Sequence, residues 1–166
     1  VAESKIDFNE ALSGAIYKEI GARDFYGRIA KRISNPEGRI KFEQLSADEE
    51  GHREKLASWF LELVGEEFIP SEEGIKGSEI KEFPIEESTG ALKALDIAAE
   101  AEAEANKFYT EQAGRAAEAG NEKLKNLFLE LAAEEQGHYN LLTAERNSLI
   151  GGFYWFDMDS TSFMED

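Results

Sequence analysis

The sequence contains no cysteine, which excludes disulfides, thiol catalysis, thiolate zinc sites and any iron centre held by four thiolates. Basic residues are few: 18 Lys and Arg stand against 35 Asp and Glu, for a formal net charge of −17. That balance argues against a nucleic-acid partner or an anionic membrane surface, both of which need a basic footprint. No apolar run approaches the roughly 18–20 residues that cross a bilayer. The opening residues, Val1-Ala2-Glu3-Ser4-Lys5, show no apolar core of a signal peptide, so a cytoplasmic location is the expectation. Only three prolines and two histidines occur in the 166 residues, a length that suits one domain.

Between Pro36, Pro70 and Pro84 run long stretches of Ala, Leu, Glu, Lys and Arg, all good helix formers. The spacing predicts an all-α chain of four helices, over about 7–34, 36–65, 89–120 and 122–150. In the first, Phe8, Leu12, Ala15, Glu19, Ala22, Tyr26, Ile29 and Ile33 recur at steps of four and three, the seam of a helix in a bundle. The second seam is Phe42, Leu45, Glu49, His52, Leu56, Trp59 and Leu63. The third is Leu92, Leu95, Ala98, Glu102, Ala105, Tyr109 and Ala116. The fourth is Leu124, Phe128, Leu131, Glu135, His138, Leu142 and Leu149. Asn35, with Pro36 behind it, and Asn121 are natural N-caps.

Short turns make helices one and two, and three and four, antiparallel hairpins. Residues 66–88 form the crossover between them. A 28-residue helix is roughly 42 Å long, and 22 extended residues reach about 70 Å, so the crossover can run the length of the bundle. Its scattered apolar residues, among them Phe68, Ile75 and Ile80, can pin it to the side. The tail, 151–166, opens with two glycines and holds Phe153-Tyr154-Trp155-Phe156 ahead of several acids. Four aromatics in a row suggest contact with the bundle end or with a second copy of the chain, and a homodimer is the expectation; docking to a larger assembly is the alternative.

The two hairpins repeat one another. Glu19, Ala22, Phe25 and Tyr26 return 83 residues later as Glu102, Ala105, Phe108 and Tyr109. Phe42, Leu45, Glu49, Gly51, His52 and Leu56 return after 86 residues as Phe128, Leu131, Glu135, Gly137, His138 and Leu142. Each half reads as one copy of a duplicated hairpin.

Chemistry enters where the seams turn polar. Both histidines stand three residues after a glutamate, Glu49 with His52 and Glu135 with His138, so each pair faces one way. Glu19 and Glu102 interrupt the other two seams, and counting from the turns puts all six side chains at one level. Burying an ion costs several kcal/mol, and four close carboxylates repel and protonate one another. No lysine or arginine stands on the seams at this level, whereas two divalent cations would cancel four carboxylates. Oxygen and imidazole donors suit iron or manganese better than copper, with zinc as an alternative. The bland reading is four solvated glutamates on helices rotated away from these seams; the apolar spacing that runs through them speaks against it.

Glu19-x6-Tyr26, Glu49-x2-His52, Glu102-x6-Tyr109 and Glu135-x2-His138 resemble the pattern of the rubrerythrin-like branch of the ferritin-like superfamily, over about residues 7–150. The resemblance implies a ferritin-like four-helix bundle and two iron ions per chain. It implies that Glu49 and Glu135 bridge the irons, with Glu19 and His52, and Glu102 and His138, as terminal ligands. It also implies reaction of the iron(II) centre with peroxide or dioxygen. Rubrerythrins proper append a four-cysteine iron domain; with no cysteine here, the resemblance implies an external electron-donor protein. They also carry an extra glutamate, associated with their peroxide chemistry, where this chain has Ala105, which moves weight towards ferroxidase chemistry.

Tyr26 and Tyr109 are candidate catalytic residues: two turns from Glu19 and Glu102, they can hydrogen-bond the carboxylates and supply a proton or electron, or simply fill core. Gly51 and Gly137 each cost about 1 kcal/mol against alanine in a helix; close helix approach, room beside a ligand, or inheritance from one ancestral hairpin would account for them. Glu100 and Glu104 belong to a solvated face, and Trp59, Phe42 and Phe128 to the core. The same six residues also suit an iron-sequestering module without turnover, a di-iron oxygenase acting on an organic substrate, or a metal staple in an assembly subunit.

Overall fold

A computed structural model describes residues 8–80 and 90–150, and every element in them is a helix. In chain order these are α1 (Asn9–Arg32), α2 (Pro36–Val64), α3 (Glu72–Ser78), α4 (Gly90–Glu118) and α5 (Glu122–Ile150). The four long helices match the expected ones to within two residues at each described end. Asn35 caps α2, its side chain accepting from the backbone N–H of Glu37 at 2.9 Å and Gly38 at 3.2 Å. Asn121 does the same for α5 through Leu124 N–H at 3.1 Å. Gly65 closes α2 by donating its N–H to Leu61 O.

The helices form two hairpins, α1–α2 and α4–α5, and their seams make two apolar clusters. One holds Leu12, Ile16, Leu56, Tyr109, Leu124 and Phe128, among others. The other holds Phe25, Tyr26, Phe42, Leu45, Leu95 and Leu142, among others. On α2, α4 and α5 the polar seam residues fall between the part that feeds one cluster and the part that feeds the other, and on α1 Glu19 falls at the end of the part that feeds the first. The buried glutamates and histidines therefore form a layer between two apolar cores.

The seams fray at their ends. Leu63 and Leu92, both expected inside, are 42% and 38% exposed; near the C-terminus of α2 the buried position moves to Phe60. Trp59 is half-buried against the first cluster. The crossover is more structured than expected, because α3 lies within it. Ser71 caps α3 through Gly74 N–H at 3.0 Å, and Glu72 and Glu73 favour its N-terminus by their charge. The Tyr17 hydroxyl accepts from Ser71 N–H at 2.9 Å, and the rings of Tyr17 and Phe60 both meet Phe68 edge-on, with centroids 5.2 Å apart. Close approach depends on glycine: a Cβ on Gly21 of α1 would sit 2.2 Å from Ser78 O, and one on Gly74 would sit 2.2 Å from the Tyr17 ring. Phe68 and Ile75 pack inward as expected, whereas Ile69 is 82% exposed. The aromatic tail lies outside the described residues.

Candidate metal centre

Each long helix delivers its polar residues because the seam leaves them no other direction. Glu19 comes from α1, Glu49 and His52 from α2, Glu102 from α4, and Glu135 and His138 from α5, and all six are buried. They form two overlapping groups: Glu19, Glu49, His52 and Glu135 in one, Glu49, Glu102, Glu135 and His138 in the other, with donor atoms within 4.8 Å of one another in each. Glu49 and Glu135 belong to both.

The histidines are oriented alike. His52 Nδ1 faces Glu135 Oε1 at 3.0 Å, Glu49 Oε2 at 3.2 Å and Glu19 Oε2 at 3.4 Å. His138 Nδ1 faces Glu49 Oε1 at 3.0 Å, Glu135 Oε2 at 3.5 Å and Glu102 Oε1 at 3.7 Å. Their outward nitrogens meet carboxylates of the opposite hairpin: His52 Nε2 lies 2.5 Å from Glu134 Oε2, and His138 Nε2 lies 3.3 Å from Asp48 Oδ2. An outer carboxylate that accepts Nε2–H leaves the Nδ1 lone pair pointing inward, as a ligating imidazole needs. The tyrosines cross between hairpins in the same manner, Tyr26 donating to Glu102 and Tyr109 to Glu19.

Protons balance this cluster when no metal does. Burial holds the Glu19 carboxyl well above its usual range and pushes Glu102 up to about 9. Burial also opposes the charges on Glu49 and Glu135, but hydrogen bonds from the two histidines and from Glu19 or Glu102 outweigh it and hold both below the ordinary carboxylate range. For His52 and His138 burial opposes the charge too; hydrogen bonds to the surrounding carboxylates outweigh it and raise both imidazoles. Two imidazolium charges thus face two carboxylates, with two neutral carboxyls beside them. Burial, reinforced by the adjacent carboxylates, keeps Tyr26 and Tyr109 protonated.

The residues fit a pair of divalent cations. Glu49 Oε1, Glu135 Oε1 and His138 Nδ1 are buried and, although each has an imidazole or carboxylate atom 3.0 Å away, none makes a well-angled hydrogen bond among the described residues; such atoms carry a desolvation cost that ligation removes. Oxygen and imidazole donors of this kind suit iron or manganese.

All six candidate ligands and both tyrosines meet in this layer. Asp48 and Glu134 were not anticipated, although a signal existed: each acid immediately precedes a seam glutamate, at equivalent positions of the two halves. Gly51 and Gly137 are not close-approach sites among the described residues, since a Cβ on either would meet none of their atoms within 4 Å. Glu100 and Glu104 are exposed, as expected, and Glu104 also lines a cavity that descends between α1 and α4 to the carboxylates.

The family model for rubrerythrin matches residues 10–91 and 93–149. No curated protein matches the chain. Among solved structures, a hypothetical protein from Pyrococcus furiosus is similar at 25% identity and a TM-score of 0.71, over 91% of this chain and 95% of that one. A bacterioferritin from Rhodobacter capsulatus, solved with a metal-free dinuclear site and a haem iron, is similar at 25% identity and a TM-score of 0.69, over 89% of each chain. The helical hairpins, the crossover and the family match over nearly all of the described chain lead to one conclusion: this is a ferritin-like bundle, and the chain belongs to the rubrerythrin family.

Proposed function

We propose that the chain is a di-iron oxidoreductase that reacts iron(II) with dioxygen or peroxide and is returned to the reduced state by an external electron-donor protein. The observation that carries this reading is the pair of buried donor groups sharing Glu49 and Glu135. Iron(II) held here would supply the electrons that the oxidant takes up. Glu49 and Glu135, shared by both donor groups, would help to hold both ions, while Glu19 with His52 and Glu102 with His138 would each help to hold one. Asp48 and Glu134 hold the imidazoles by Nε2–H. Tyr26 and Tyr109 hold a proton at the carboxylates of Glu102 and Glu19, where it steadies the outer ligands as charge changes. The apolar clusters flank the layer on either side and leave the cavity as its approach. Manganese and zinc fit the same donors, zinc without electron transfer.

Ala105 gives the reading a direction. It is half-buried and lines the cavity above the carboxylates, so no further carboxylate stands at that position, which favours ferroxidase chemistry with dioxygen over peroxide specialisation. Stopped-flow oxidation of the anaerobic, Fe²⁺-loaded protein tests it. Faster oxidation than free Fe²⁺, with dioxygen ahead of peroxide, is the expected result. No acceleration with either oxidant would reject the enzyme and leave an iron-binding module.

A further inference from the structure

The cavity above the centre is larger than its proposed oxidants need. It holds about 480 Å³, within the roughly 300–1,000 Å³ typical of small-molecule sites. One water takes about 30 Å³, and dioxygen or peroxide is of that order. Its floor is the carboxylates of Glu19, Glu49, Glu102 and Glu135, and neither His52 nor His138 lines it. The walls are short or apolar: Gly14, Tyr17, Ala22, Ala101, Ala105 and Ile80. One wall is α3, which contributes Gly74 and Gly77 and is set against α1 by the tight Gly21–Ser78 and Gly74–Tyr17 contacts.

We infer that this cavity is a binding site for a neutral, largely apolar organic molecule, seated against the metal centre between α1, α3 and α4. The inference rests on the reading of the floor as that centre. Size sets the class of ligand, and charge narrows it. Among the described lining residues, Glu79 and Glu104 stand at the mouth against one base, Lys18, whose ammonium lies 5.4 Å from the centroid of the Phe108 ring. An anion entering would pass two carboxylates and meet more at the floor, so a neutral body is favoured over an acidic one of the same shape.

A matched pair of probes tests this. N-phenyl-1-naphthylamine is neutral, and 8-anilino-1-naphthalenesulfonate carries a sulfonate on the same ring skeleton. Equilibrium dialysis against the protein as purified, with metal content measured on each sample, should give one saturable site for the neutral probe and at least tenfold weaker binding of the anion. Ala105→Phe and Ala22→Leu, on opposite walls, should each weaken the neutral probe at least tenfold without loss of helicity or metal. Leu61→Gln, in a separate surface recess beside Ala57 and Phe68, should leave it unchanged. Absent saturable binding, equal affinity for the two probes, or wild-type binding by whichever wall variant folds would overturn the inference. A chain with two metals and no probe site contradicts the pocket alone. A chain that binds the probe in the cavity but takes up no metal contradicts the centre alone.

Discussion

Glu19, Glu49, Glu102 and Glu135 are tolerable inside the bundle only in a neutralised state, and the choice lies between protons and metal. In the metal-free chain Glu19 and Glu102 hold protons because of burial, and His52 and His138 hold protons because carboxylates surround them. Loading two dications must displace those protons, about four per chain in neutral solution. Apparent metal affinity should therefore fall as pH falls, and adding Zn²⁺ to weakly buffered protein should acidify it by that amount. Stability follows the same linkage. Raised pKa values mean that the folded metal-free chain binds more protons than the unfolded one from about pH 4.5 upward, so its stability declines as pH rises through 6.5 and towards the Glu102 value of about 9. Melting curves of metal-free protein should shift down from pH 6 to pH 9, while metal-loaded protein escapes the loss. A metal-free chain that gains stability over that range contradicts these assignments.

The six ligand candidates were legible because each stands on an apolar seam, where a charge is costly and so informative. Asp48 and Glu134 were not, because 35 of 166 residues are acidic and a half-exposed acid resembles any solvated one. Their effect is nonetheless measurable. Asp48→Asn and Glu134→Gln should each weaken metal binding about 10–100-fold, the usual range for a carboxylate that orients a ligating histidine. Competition against a chelator of known affinity reads this directly, and unchanged affinity in both variants would remove the orienting role.

At the scale of elements, helix formation and packing separate cleanly. The long helices follow from period, propensity and caps, which span whole segments. Helix α3 does not, because seven residues with two acids and two glycines carry no period, and none of them is fully buried. Its position is decided by contacts from distant residues, Tyr17 with Ser71 and Gly21 with Ser78. Leu63 and Leu92 continue their seams in sequence but lie near helix ends, where less of the neighbouring helix remains to cover them. Gly51 and Gly137 are the converse case: interior to their helices, with open space where a side chain would project. Gly51→Ala and Gly137→Ala should each stabilise the fold by about 0.5–1 kcal/mol, seen as a rise in Tm with unchanged metal content. A fall in Tm would mean that the space is needed.

At the scale of the whole molecule, duplication supplies the geometry. Each hairpin provides one glutamate from its first helix and a Glu-x-x-His pair from its second, and the hairpins complete each other's sites through Tyr26 with Glu102, Tyr109 with Glu19, His52 with Glu134 and His138 with Asp48. Neither half can assemble the layer alone. Metal bound in this layer would therefore join the two hairpins across the interface where the polar layer interrupts the apolar core. The acidic surface adds a modest attraction for cations.

The most direct measurement is metal content per chain after anaerobic loading with Fe²⁺ and removal of excess. The account predicts two ions in the native chain and about one in His52→Ala and in His138→Ala, since each histidine serves one position. Two ions retained by both variants, or fewer than one in the native chain, would contradict it.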